Sequence, residues 1–268
     1  MSSVVRADEL VRFESAPFRI GQLQQRLAQE RGEVLRSKSE TIEGYLSKPE
    51  GSGPFAAIIY LHGCGGLSEN ARRYIAQLMT GWGYVSLAVD SFATRGIKNA
   101  CTELVPVRTG DALGALSYLS NLPFVDSQRI AVVGSSQGAI VAMELASTDQ
   151  AKIFEVPQGQ KFRAAVAYYP LCGIASDELL FPMLILIGEL DDWTPAKGCE
   201  LWMQRRANRG APVRLVVYPG AYHAFDVPAF AEGRESFGHW LKYDPAAAAH
   251  SVQEMQNFLA AQLSREQR

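Results

Sequence analysis

The sequence predicts an α/β protein: a mostly parallel central sheet with helices on both faces and an antiparallel edge at its N-terminal end. Three observations carry that expectation. Six short apolar runs, at 57–61, 84–89, 130–133, 164–168, 183–187 and 213–218, are continuous rather than alternating, as strands covered on both faces must be. Segments of helical periodicity separate them at about 68–81, 107–121, 137–148 and 196–208, and a last one spans about 246–264. The chain of 268 residues, 47% hydrophobic and 20% charged, has an ordinary globular composition and is long enough to bury a large core.

Taken in order, residues 1–20 read as an extended arm. Residues 22–31 place Leu23 and Leu27 four apart, which predicts a short helix packing a narrow apolar face. Residues 33–49 alternate, with Thr41, Ile42, Tyr45 and Leu46 ahead of the turn signal PEGSGP at 49–54. They predict a pair of strands forming the antiparallel edge. From Phe55 onward strand and helix patterns alternate. In the last segment Val252, Met255, Phe258, Leu259 and Leu263 keep a helical period, and Pro245 suits a first turn. With no repeat, low-complexity tract or linker, residues 35–268 are expected to form one domain, with 1–34 an arm and short helix packed on it. Two longer irregular stretches, 91–106 and 224–245, are of the kind that cover or serve a site.

A formal net charge of −2 supplies no basic field for nucleic acid or an anionic membrane. No apolar run is long enough to span a bilayer, and MSSVVRADELVRFES lacks the apolar centre of a signal peptide. The expectation is a soluble protein, cytoplasmic by default and periplasmic if a leader has been removed. Cys64, Cys101, Cys172 and Cys199 show no C-x-x-C spacing, which argues against zinc or a redox dithiol. They are expected to be small buried side chains. In an oxidising compartment the expected pair is Cys101 with Cys172, because both lie in loops on one edge of the sheet. No metal set, nucleotide loop or cofactor motif is visible, so no cofactor is expected.

The chemistry gathers behind the apolar runs, where open parallel sheets place their ligand sites. After 57–61 comes His62-Gly63-Cys64-Gly65-Gly66; after 130–133, Gly134-Ser135-Ser136-Gln137-Gly138; after 183–187, Gly188-Glu189-Leu190-Asp191-Asp192; and after 213–218, Pro219-Gly220-Ala221-Tyr222-His223. Gly134 to Gly138 match G-x-S-x-G, a strand-to-helix turn that lifts its serine off the sheet edge. Serine needs a base, and the base needs an acceptor to hold its tautomer. His223 is the one histidine of the four that directly follows a late strand, so it is the expected base; His62 is expected to hold its loop. Asp191 is the favoured acid, with Asp192 and Glu189 as neighbours. The oxyanion donors are expected to be the backbone N–H groups of Gln137 and Cys64. A Cys64 nucleophile is disfavoured, since no adjacent base or helix N-terminus lowers its pKa.

Together YLHGCGGL at 60–67, AVDSFATRG at 88–96, VVGSSQGA at 132–139, IGELDDWTP at 187–195 and YPGAYHAFD at 218–226 resemble the dienelactone hydrolase family of the α/β-hydrolase superfamily, over about residues 35–265. The resemblance implies the α/β-hydrolase fold, with nucleophile, acid and histidine in the chain order Ser136, Asp191, His223. It places the acid on Asp191, with Gly188 and Pro195 in register in G-x-x-D-x-x-x-P, and the histidine on His223. One departure stands out: the family's namesakes carry cysteine at the elbow, whereas this chain carries serine, like esterase-like relatives. Arg72, Arg73 and Arg95 are candidates for a substrate carboxylate, with Arg95 foremost because it follows the strand ending at Asp90. Trp193, Phe92, Tyr169, Phe225 and Trp240 are the expected pocket walls. The expected activity is cleavage of a small-molecule carboxylic ester or lactone through an acyl-enzyme. A peptidase or amidase on the same fold, and a non-catalytic binding protein, are the rival readings.

Overall fold

The computed structural model describes residues 8–35, 37–105, 107–147, 149, 153–156 and 159–265. The elements follow in chain order as β1 (Glu9–Glu14), α1 (Gln22–Glu30), β2 (Thr41–Ser47), β3 (Phe55–Leu61), α2 (Glu69–Gly81), β4 (Val85–Asp90), α3 (Arg108–Ser120), β5 (Val125–Ser135), α4 (Gln137–Leu145), β6 (Ala164–Tyr168), β7 (Met183–Gly188), α5 (Ala196–Arg206), β8 (Val213–Tyr218), β9 (Arg234–Ser236), β10 (His239–Leu241) and α6 (Pro245–Leu263). Eight strands form one sheet in the order β1-β2-β4-β3-β5-β6-β7-β8. The six expected apolar runs are β3 to β8, and the ladders among them are all parallel. The predicted helix 137–148 ends at Leu145, and position 148 lies outside the described residues.

Continuous runs are needed here because both faces of the sheet are covered. Gly134 and Ser135 are neighbours on β5 and so point to opposite faces. On the Gly134 side the backbone of α4 lies in direct contact. On the other side Tyr168, paired with Ser135, reaches Ser251 on α6 through its hydroxyl at 3.4 Å. Consecutive residues such as Ile58 and Ile59, Ala131 and Val132, and Leu184 and Ile185 are accordingly all buried. Two of the helices start at polar side-chain caps. Ser68 Oγ accepts the Ala71 amide ahead of α2, and Asp244 accepts those of Ala246 and Ala247 ahead of α6, with Pro245 in its first turn.

The N-terminal edge differs from expectation. Residues 33–49 supply one strand, β2, and its antiparallel partner is β1 from within the expected arm, in register from Glu9 opposite Leu46 to Glu14 opposite Thr41. β2 in turn pairs antiparallel with β4. In ELVRFE only Val11 and Phe13 turn inward, an alternation too short to register as a strand. Tertiary contact holds it: a Cβ on Gly114 of α3 would collide with the Glu14 carbonyl, and Ala16 N donates to Gly110 O at 2.8 Å. Residues 1–7 of the expected arm lie outside the described residues.

Helix α1 forms, but its leucine face is not packed: Leu23 is 68% and Leu27 40% exposed, and Ala28 is the buried residue. The preceding segment anchors it instead, through Arg19 N to Ile153 O and Glu155 N to Pro17 O.

The cysteines also differ from expectation. Cys101 pairs with Cys64, not Cys172, and Cys172 pairs with Cys199. The reason is the path of the chain after β4, which folds onto the glycine loop with Ala100 N donating to Cys64 O at 2.9 Å. Cys172 lies in a short turn, Cys172–Ile174, that packs on α5 where Cys199 sits. The 224–245 stretch carries the β9–β10 hairpin.

Candidate active site

At the end of β5 the chain must turn into α4 with almost no room. A Cβ on Gly134 would strike the Gly138 backbone, and one on Gly138 would strike the Leu61 and His62 carbonyls. Glycine at both positions lets β3, β5 and α4 meet, and Ser136 absorbs the turn with φ 53° and ψ −118°. That conformation is strained for a residue with a Cβ, and it persists because its surroundings fix it. The Ser136 amide donates to Tyr168 O at 2.9 Å, and its carbonyl accepts from Ala139 N and Ile140 N. The Cα–Cβ bond of Ser136 is therefore held in one direction.

The loops after β7 and β8 are sewn together. Glu189 N donates to Tyr218 O, and Leu190 N to Ala221 O, each at 2.9 Å. A Cβ on Gly188 would meet the Ala221 backbone. This lacing brings Asp191 Oδ2 to 2.7 Å from His223 Nδ1, and His223 Nε2 to 3.1 Å from Ser136 Oγ. Asp191 and His223 are both buried. Since the carboxylate only accepts, Nδ1 carries the imidazole proton and Nε2 presents a lone pair to the serine hydroxyl. Asp191 Oδ1 accepts the amides of Trp193 and Thr194 at 3.0 and 2.8 Å, which fixes the carboxylate plane. Asp192 points elsewhere, accepting from Trp240 N and lying near His239. A β-bridge from His223 to Leu241 ties the β9–β10 hairpin to the histidine.

The glycine loop after β3 lies beside the elbow. His62 holds it, with Nδ1–H donating to Gly63 O at 2.7 Å and Nε2 accepting from Ser91 N at 3.3 Å. Burial, and then the Arg108 charge, lower its pKa to about 3, so the ring is neutral. Gln137 opens α4, with its amide at the positive end of the helix dipole. Cys64, on the facing loop, is held by its bond to Cys101.

The expected wall residues fall into different surroundings. Trp193 lies over the His223 ring at 5.2 Å between centroids and stacks on His239 at 4.8 Å. Tyr169 packs against His223 at 4.5 Å and donates its hydroxyl to Asp226 at 2.8 Å. Phe225 is buried behind it against Tyr168 and Tyr218. Phe92 is buried beneath the glycine loop, edge-on to His62. Trp240 is 39% exposed on β10. Arg95 donates to Asp111, Glu40 and the Ser91 carbonyl, Arg72 pairs with Asp8 and Glu69, and Arg73 pairs with Glu69. Two neighbours escaped the sequence reading. Thr194 bridges Asp191 Oδ2 and Tyr169 O at 3.0 Å each, and only its place in the loop after the acid could have pointed to it. Arg108 contacts both His62 and Gln137 and carries no motif at all. Among the described residues no three or more His, Cys, Asp or Glu side chains are placed to hold a metal, and no helix is long and apolar enough to cross a membrane.

Comparison with known proteins gives the context of this geometry. A Mycobacterium tuberculosis protein named as a phosphoribosyl transferase is 27% identical over 201 residues, covering 71% of this chain but only 41% of that protein, so the chain spans well under half of that relative. The carboxymethylenebutenolidase homolog of Xenopus tropicalis is 24% identical over 227 residues, 75% of this chain and 87% of the relative. Among solved structures, a dienelactone hydrolase-like promiscuous phosphotriesterase from metagenomic libraries superposes with a TM-score of 0.67 at 19% identity, covering 96% of this chain and all of that one, and so shares the fold. The family profile of the dienelactone hydrolases matches residues 42–263, from β2 to the end of α6, and the chain belongs to the dienelactone hydrolase family.

Proposed function

We propose that this protein is a serine hydrolase that cleaves a carboxylic ester or lactone of a small molecule through an acyl-enzyme. The observation that carries the reading is the relay of 3.1 Å from Ser136 Oγ to His223 Nε2 and 2.7 Å from His223 Nδ1 to Asp191. His223 takes the serine proton as Oγ adds to the carbonyl carbon, then returns it to the leaving alcohol oxygen as the ester bond breaks. Asp191 holds the tautomer and balances the imidazolium formed in between. The Gln137 and Cys64 amides are assigned to the oxyanion, each a donor of the kind worth roughly 100- to 1,000-fold in rate. Water, deprotonated by His223, then releases the acid and restores the serine.

The substrate reading follows from the surroundings of His223. Trp193 offers aromatic surface there, with Tyr169 buried against the ring, while Arg72, Arg73 and Arg95 are already paired with carboxylates. Neutral esters are therefore the favoured class over those bearing a free carboxylate. The test is turnover of p-nitrophenyl acetate and butyrate, together with labelling by a fluorophosphonate probe. Ser136→Ala is expected to lose both, with kcat lower by at least about 1,000-fold. Undiminished turnover in that variant would remove Ser136 from its role. An unlabelled, inactive wild type would favour a binding protein on this fold.

A further inference from the structure

We infer that Arg108 is a positioning residue for the oxyanion hole, clamping together the two loops that furnish its amides; the inference rests on the serine hydrolase reading above. Arg108 opens α3 and is 1% exposed. Its Nη1 donates to the Gln137 side-chain oxygen at 2.8 Å, and its Nη2 donates to the His62 backbone carbonyl. Gln137 carries one assigned amide, and His62 stands two residues before Cys64, which carries the other. A planar guanidinium with fixed donor angles thus spans the elbow and the glycine loop, setting their separation.

The clamp is closed from the far side as well. Gln137 Nε2 donates to the carbonyls of Ala100 and Glu103 at 3.0 and 2.8 Å. That stretch contains Cys101, which is bonded to Cys64. From the elbow one path runs through the Gln137 side chain, the 100–103 backbone and the disulfide to Cys64, and a second runs through Arg108 to His62. Each assigned donor is therefore tied to the other twice.

Packing alone does not account for this residue. Among the described residues no carboxylate forms an ion pair with Arg108. Asp111, one turn along α3, is engaged by Arg95 in a two-point pair at 2.7 and 2.9 Å. Phe92 offers its ring, 5.2 Å from the guanidinium carbon. A cation held from water by carbonyls and a ring is costly, and a leucine or methionine would fill the space without that cost. Burial lowers its pKa only to about 10, so the charge and all its donors persist at neutral pH. What the position gains is geometry: oxyanion donors act only within a few tenths of an ångström of their proper reach.

The experiment compares wild type, Arg108→Met and Arg108→Lys on p-nitrophenyl acetate and against a trifluoromethyl ketone, which forms a tetrahedral oxyanion adduct on the serine. R108M is expected to lower kcat by roughly 10- to 100-fold with KM within about twofold, and to weaken the ketone in step. The pH midpoint of kcat is expected to stay in place, because the Ser136–His223–Asp191 relay is untouched, and R108K is expected to recover part of the loss. A folded R108M, judged by near-UV circular dichroism and a cooperative thermal transition, that keeps kcat or changes only KM overturns the inference. If R108M does not fold, Gln137→Leu, which releases the elbow from Arg108 and from the 100–103 backbone at once, must show a kcat loss of at least the size expected for R108M, and full kcat there overturns the inference equally. Wild-type turnover and fluorophosphonate labelling are measured first. An active, labelled wild type with an unimpaired R108M sinks the clamp alone, whereas an inert wild type sinks the clamp and the proposed function together.

Discussion

At the residue scale the critical atom is the imidazole proton of His223. Asp191 can hold that proton on Nδ1 because its other oxygen is fully occupied by the Trp193 and Thr194 amides and the carboxylate cannot rotate away. Asp191→Asn preserves the shape but presents an N–H to Nδ1, which forces the proton onto Nε2 and removes the base. A fall in kcat of about 10,000-fold at neutral pH with little change in KM is expected. Steady-state kinetics on a p-nitrophenyl ester checks this, and a D191N protein within tenfold of wild type would take Asp191 out of the relay. Ser136 and His223 were readable because each lies in a short motif directly behind an apolar run. Choosing Asp191 over Asp192 took the family pattern, and the structure places Asp191 on the histidine. Thr194 and Arg108 were unreadable, since a hydroxyl and a buried guanidinium acting through contacts 25 and 46 residues away leave no local pattern.

At the scale of elements, each candidate group sits where a strand ends, and the glycine loop after β3 holds a buried histidine that makes it sensitive to acid. His62 is buried in that loop with a pKa lowered to about 3, first by burial and then by Arg108. The unfolded chain has this ring near its ordinary value of about 6.5. Below that value the unfolded chain takes up a proton that the folded loop refuses. The stabilisation is therefore present above about pH 6.5 and is lost as pH falls toward about 3, at roughly 1 kcal/mol per pH unit. Urea unfolding between about pH 7 and pH 4.5 should show a steeper loss of stability in wild type than in His62→Asn, each compared with its own neutral value. Parallel slopes in the two proteins would refute the assignment. β3 to β8 and the main helices were legible because a strand or helix long enough to be buried must repeat its apolar residues. β1 was not, because it has only two inward residues, Val11 and Phe13, and is held by its ladder to β2 and by the close approach of its end, at Glu14, to Gly114 of α3.

At the scale of the whole molecule, two disulfides close stretches of 37 and 27 residues around the sheet edge. In the chain-entropy account each contributes about 3–4 kcal/mol by restricting the unfolded chain. They differ in access: Cys172 and Cys199 are buried, while Cys64 and Cys101 are partly exposed beside the glycine loop. Stepwise reduction, alkylation and peptide mapping should find no free thiol at the start and modify Cys64 and Cys101 before the other pair. Free thiols in the unreduced protein, or the reverse order, would contradict this pairing. By itself the sequence determined what is local or periodic: the parallel α/β architecture, the elbow, the histidine after a late strand and the family. Only the tertiary structure decided which cysteines meet, that β1 completes the sheet, that the leucines of α1 face solvent, and that Arg108 joins two loops. The physical reason is that periodicity records burial along one element, whereas a pairing between segments depends on where the whole chain brings them and is written in no single stretch of it.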